Sequence, residues 1–192
     1  MKHQFPFLGL KRPERDALIS DVLKQWKPEA ESLMLGVEQL WGLEEREFKY
    51  AALDALIRYQ KRLDATHVDR ILALVVTESW WDTVDLLAGS VLSPLALRDR
   101  NIHDALFALK DREALWLKRT SLLYMLKHGS MTDRERLEAL VVTHANESDF
   151  FIRKGIGWAL RNFARIDPEW VRSVVARNAL SPLSVREALK HL

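Results

Sequence analysis

Two tryptophans and two aspartates crowd into "SWWDTVD", residues 79–85. On a helix, Trp81 and Asp85 lie one turn apart and share a face. Asp82 stands three residues before Asp85, on nearly the same side. A carboxylate beside an electron-rich ring is suited to holding a positive charge, and a ring over a cation contributes about 0.5–2 kcal/mol. The competing reading is a buried tryptophan with a solvated acid behind it. A second tryptophan with a basic neighbourhood occurs in "FFIRKGIGWALR", residues 150–161, where Trp158 follows Arg153 and Lys154 and precedes Arg161.

These side chains need a scaffold, and composition points to a helical one. Leu, Ala, Arg, Lys and Glu dominate the 192 residues, and all favour helix. Seven glycines and six prolines leave little material for hairpins, and no strand pair is legible. Without cysteine there is no disulfide, thiolate metal site or cysteine nucleophile, which fits a reducing cytoplasm. Neither a signal-peptide pattern nor a membrane-length apolar run occurs. The net charge of +2 is small but unevenly spread: +3 over residues 1–28, −6 over 29–90 and +5 over 91–192. A curved chain would bring its basic ends together around one polyanion.

Apolar residues recur at helical spacing, as in "EREFKYAALDALIRYQKRL". "RILALVVTESWWDTVDLLAGSVL" is apolar on more than one side and reads as a buried helix. Breaks are expected at Pro28, Pro94, around Gly129, at Pro168 and at Pro182. Capping boxes are expected from Thr132 with Glu135 and from Ser184 with Glu187. Aligning "FKYAALDALIRY", "DTVDLLAGSV", "LKRTSLLYMLKHG" and "IRKGIGWALRNFA" puts Tyr50, Asp85, Arg119 and Lys154 in register. "VREALKHL" places Arg186 about one period later. A period of roughly 35–45 residues is that of a helical-repeat solenoid such as HEAT repeats. The fold class is therefore all-α, a HEAT-like solenoid over a single domain, 1–192, with Asp85, Arg119 and Lys154 neighbouring one another in a concave cleft.

In order along the chain, "QFPFLGLKRPER", "EREFKYAALD", "SWWDTVD", "WLKR", "FFIRKGIGWALR" and "PLSVREALKH" resemble the HEAT-like bacterial DNA alkylation repair glycosylases, the AlkD family. The resemblance runs nearly end to end. It implies a basic C-shaped cleft around duplex DNA and removal of cationic alkylpurines, chiefly 7-methylguanine and 3-methyladenine, without flipping the base. It also implies that Asp85 is the catalytic carboxylate and that Trp81 and Trp158 contact the deoxyribose of the lesion. Arg119 matches the cleft arginine, and Phe150 with Phe151 the neighbouring aromatic pair. On spacing, Asp82 competes with Asp85; repeat register opposite Arg119 favours Asp85, and the resemblance decides for it. One departure is expected: the family's extreme N-terminal helix, with its cleft-bordering tyrosine, has no counterpart before Gln4.

The implied chemistry suits one carboxylate. A cationic alkylpurine leaves without protonation, so the second carboxyl group of ordinary glycoside hydrolysis is not needed. A fixed Asp85 would stabilise the oxocarbenium-like sugar and position water. Arg119, Arg153, Lys154 and Arg161 are candidate phosphate contacts, with an ion pair to an acid such as Asp167 as the alternative for Arg161. Lys11 and Arg12, beside the amides opening a helix near Pro13, form another candidate phosphate site; a solvated helix start is the alternative. The six histidines are scattered, so no metal and no cofactor are expected. The expected partner of a monomeric, cytoplasmic, nucleoid-associated enzyme is duplex DNA carrying alkylated purines. The competing functions are a non-catalytic solenoid that binds distorted DNA and a protein-interaction scaffold.

Overall fold

In the computed structural model, which describes residues 4–192, helices joined by short loops make up all the regular secondary structure among those residues. His3 and whatever precedes Gln4 lie outside the described residues. Twelve α-helices follow in order: α1 Arg12–Gln25, α2 Ala30–Trp41, α3 Arg46–Tyr59, α4 Val68–Val76, α5 Trp81–Leu86, α6 Ser93–Arg98, α7 Arg100–Ala108, α8 Leu115–Leu123, α9 Arg134–Thr143, α10 Phe150–Phe163, α11 Pro168–Arg177 and α12 Pro182–Ala188. The expected all-α repeat solenoid is borne out. Helices α3, α5, α8, α10 and α12 pack on one another in chain order, and the helices between them back this row.

Helical periodicity becomes burial directly. On α10, Ile152, Ile156 and Leu160 recur every four residues and are each fully buried, while Leu33 and Val37 do the same on α2. Polar residues supply a second order. Arg46 on α3 reaches Asp82 on α5 (2.8 Å), Arg119 on α8 reaches back to Asp85 on α5 (2.7 Å), and Lys154 on α10 reaches Glu187 on α12 (2.9 Å). Each pair spans about one repeat, with sequence separations of 36, 34 and 33. The backing row has the same habit in Arg70–Glu38, Arg136–Asp104 and Arg177–Glu138. Helix α5 is therefore tied to the repeat before it through Asp82 and to the repeat after it through Asp85.

Several local expectations are corrected. The apolar run from Arg70 to Leu92 is not one helix. Thr77 and Ser79 donate their hydroxyls to the carbonyls of Ala73 (2.8 Å) and Val75 (2.6 Å), ending α4. Glu78 then takes a φ of 47°, and Trp80 is extended before α5 begins. Pro94 does not interrupt the chain: α5 runs through a π-helical segment, Leu87–Leu92, into α6, and Pro94 sits in its first turn. Asp133, not Thr132, caps α9 by accepting from the amide of Arg136, and Ser181, not Ser184, caps α12. A carboxylate or hydroxyl one step outside the first turn has the better reach to these amides.

Helices α10 and α12 come close at Gly157, where a β-carbon would stand 2.9 Å from the carbonyl oxygen of Ser184 and run into Glu187. Gly157→Ala is expected to push α10 and α12 apart and to destabilise the protein by about 1–3 kcal/mol. Urea denaturation monitored by circular dichroism measures this, and an unchanged midpoint would show that the interface has slack.

Candidate active site

Helices α1, α3, α5 and α10 enclose an open hollow of about 500 Å³. Trp81, Asp82, Asp85 and Leu86 of α5 face it together with Trp158 of α10; Leu10, Arg12, Arg15, Tyr50, Asp54 and Ile57 form the wall from α1 and α3. Trp81, Asp85 and Trp158 are 77 positions apart end to end in the chain and meet because α5 and α10 belong to the same row. Trp81 is 46% exposed, whereas its neighbour Trp80 turns away to pack against Trp116 and Phe151, with ring centroids at 5.9 and 5.2 Å. Trp41 is buried in the core, as its apolar setting implies.

Both aspartates border the hollow, yet their surroundings differ. Asp82 accepts three hydrogen bonds: from Nε (3.2 Å) and Nη2 (2.8 Å) of Arg46 and from the hydroxyl of Tyr50 (2.6 Å). Burial, helped by the Asp82 charge, raises the Tyr50 pKa, so its hydroxyl stays neutral and donating. Asp85 accepts only from Arg119, with Nε on Oδ1 (2.7 Å) and Nη2 on Oδ2 (2.8 Å). Each Asp85 oxygen therefore keeps accepting capacity. Burial pushes the Asp85 pKa above the ordinary aspartate value, Arg119 opposes that shift, and the Asp82 charge adds to it. Arg119 itself stands behind Asp85, buried, and also donates to the carbonyl of Phe151. The arrangement presents a carboxylate held by Arg119 on the wall of a hollow that Trp81 and Trp158 also border.

The other anticipated contacts divide. Arg12 borders the hollow and is exposed, with a long 3.4 Å contact to Asp16; Lys11 is exposed at the start of α1. The amides just before α1 are already used. Glu47 accepts from the amides of Leu8, Gly9 and Leu10 at 2.9–3.1 Å, and Glu14 accepts from that of Lys11 at 2.7 Å. Those four bonds leave the exposed side chains of Lys11 and Arg12 as anion contacts. Arg161 does not pair with Asp167, which instead meets Arg134 (3.0 Å). Glu187 binds both Lys154 and Arg161, and these two cations hold its carboxyl down to about 2. The single carboxylate offsets one of those two positive charges, and the cluster keeps a net positive charge. Arg153 donates to the carbonyl of Glu147 (2.8 Å). Phe150 and Phe151 meet edge to face with ring centroids 5.5 Å apart; Phe150 is 56% exposed, while Phe151 packs into the Trp80–Trp116 cluster.

Sequence reasoning passed over Arg15, Asp54 and the role of Tyr50. Arg15 lies over the Tyr50 ring (5.0 Å) and pairs with Asp54 (3.2 Å), whose pKa is raised chiefly by burial. Tyr50 had been aligned with Asp85 by repeat register, and that alignment, followed four residues further to Asp54, carried the signal. Among the described residues no group of three His, Cys, Asp or Glu side chains is placed to hold a metal ion, and no helix is long and apolar enough to cross a membrane.

The family model described as DNA alkylation repair enzyme matches residues 1–192. Among solved structures, one described as a predicted DNA alkylation repair enzyme from Enterococcus faecalis is 32% identical, with a TM-score of 0.92. The match covers 100% of this chain and 90% of that one. No curated protein matches the chain.

Proposed function

This chain belongs to the DNA alkylation repair enzyme family, and from that premise we propose that it is a monofunctional glycosylase. Its substrates in this reading are positively charged alkylpurines in duplex DNA, chiefly 7-methylguanine and 3-methyladenine. The observation that carries the proposal is the convergence of Asp85, Trp81 and Trp158 on one hollow. The scaffold is read as HEAT-like and the working form as a monomer.

The reaction follows from charge. Alkylation leaves the purine cationic, so the bond between the sugar C1′ and the base nitrogen breaks with its electron pair going to the base, which departs neutral. Positive charge moves onto the deoxyribose as the bond lengthens. Asp85, fixed by Arg119, offers its oxygens to that charge, and a preorganised carboxylate in a partly dry site stabilises it far better than water does. The indoles of Trp81 and Trp158 offer ring faces to the same cation. Water then adds at C1′, its proton passing to Asp85 and on to solvent, and an abasic site remains. Asp82 is a poor candidate for this role, because three donors already occupy it.

Contact in this reading is made through the sugar, with the base left in the duplex. The openness of the hollow beside the half-exposed Trp81 supports it. The exposed cations Lys11 and Arg12 would add phosphate contacts, each steepening the salt dependence by a little under one unit on a log–log plot.

Incubation with methylated duplex DNA, followed by chromatography of the released bases, tests the proposal. Free 7-methylguanine and 3-methyladenine are expected, with abasic sites and unbroken strands left behind. Tight binding to the methylated duplex with no base release would instead identify a non-catalytic lesion binder.

A further inference from the structure

The turn that delivers Trp81 and Asp85 to the hollow is gripped from the preceding repeat by two fully buried cations. Arg46 and Lys49 on α3 are both 0% exposed, and neither borders the hollow. Arg46 donates through Nη1 to the carbonyl of Glu78 (2.8 Å) and through Nη2 to Oγ1 of Thr83 (2.9 Å), besides its two bonds to Asp82. Its guanidinium lies 4.0 Å from the ring centroid of Phe5. Lys49 pairs with the Glu78 carboxylate (2.8 Å) and donates to the carbonyls of Leu43 and Glu44.

Glu78 is the one non-glycine residue among those described with a positive φ, 47°. An L-residue keeps this left-handed conformation only where its surroundings over-determine it. Here one buried cation holds its backbone carbonyl and the other its side chain. Nothing in core packing requires this arrangement, since apolar residues of similar volume stabilise an interior as well as buried ion pairs do.

We infer that Arg46 and Lys49 are positioning residues: by holding the turn 78–83 they set where Trp81 and the Asp85 carboxylate stand in the hollow. The inference rests on the reading of that hollow as the site of alkylpurine excision. Small displacements of reacting groups are costly, a misplacement near 1 Å lowering a rate by on the order of a hundredfold.

The test uses the full chain labelled with 5-fluorotryptophan, the Trp81 resonance being assigned from Trp81→Phe. Arg46→Lys keeps the charge but loses the forked geometry, and Lys49→Met keeps the length but loses the charge. Each variant is expected to shift or broaden the Trp81 fluorine signal. Each should also lower single-turnover release of 7-methylguanine by on the order of ten- to a hundredfold, with duplex affinity and circular dichroism unchanged. A parental rate with an unmoved Trp81 signal in a folded variant would overturn the inference. If Arg46→Lys does not fold, Lys49→Met decides alone by the same criteria. If the parent itself releases no base, the excision reading fails separately, and the Trp81 signal still shows whether the two cations place that ring.

Discussion

Asp85→Asn is expected to lower the rate of 7-methylguanine release by on the order of 10²–10³-fold while duplex binding persists. The substitution changes one oxygen to an amide and removes the negative charge, with almost no change in volume. Asn can still accept from Nε of Arg119, but its amide hydrogens then face the Nη2 donor, so the forked contact at 2.7 and 2.8 Å is half lost. What disappears entirely is the anion facing the developing sugar cation. Asp82 is poorly placed to take over, since Arg46 holds both its oxygens and Tyr50 adds a second bond to one of them. Single-turnover assays with methylated duplex DNA, beside fluorescence anisotropy for binding, separate the two effects. A parental release rate in Asp85→Asn would remove this carboxylate from the mechanism.

Arg119→Gln is expected to damage stability and pH response together. The two side chains of the Asp85–Arg119 pair are only 12% and 5% exposed. Breaking a buried pair from one side leaves an uncompensated charge and costs about 3–5 kcal/mol. The sign of the pH dependence follows from the direction of the Asp85 shift. Burial already raises its pKa above that of an unfolded aspartate, and Arg119 is what restrains the rise. Without Arg119 the pKa climbs further. A raised pKa favours the protonated carboxyl in the folded state, so the stability deficit of the variant is largest near neutrality. The deficit shrinks as pH falls below the folded pKa, where Asp85 takes up a proton. Activity runs the other way: the ionised form works, so the acidic limb of the rate profile moves to higher pH in Arg119→Gln. Urea titrations at several pH values and a pH–rate profile measure both. A deficit independent of pH, with an unmoved acidic limb, would show that Arg119 does not act through Asp85.

Helices and their stacking were legible because both rest on short-range pattern. The every-fourth burial of Ile152, Ile156 and Leu160 is visible as spacing, and a repeated period brings residues about 34 apart side by side. The approach of Asp85 to Arg119 follows from that register alone. Charge pairing between other repeats was not legible, because a cation has several acids within one period. Arg161 therefore looked free or bound to Asp167, whereas Glu187 on the next helix takes both it and Lys154. That Glu47, about 38 residues away, takes the amides of Leu8, Gly9 and Leu10 was not legible either, because nothing local to them signals it. The break at Thr77–Trp80 was hidden by apolar residues on either side; its only mark is the polar "TES", whose hydroxyls end α4.

Helix α5 is the six-residue start of a helical run that continues through Leu87–Leu92 into α6. It is stapled forward and backward at once. The place of the Asp85 carboxylate therefore depends on the repeats on both sides of it.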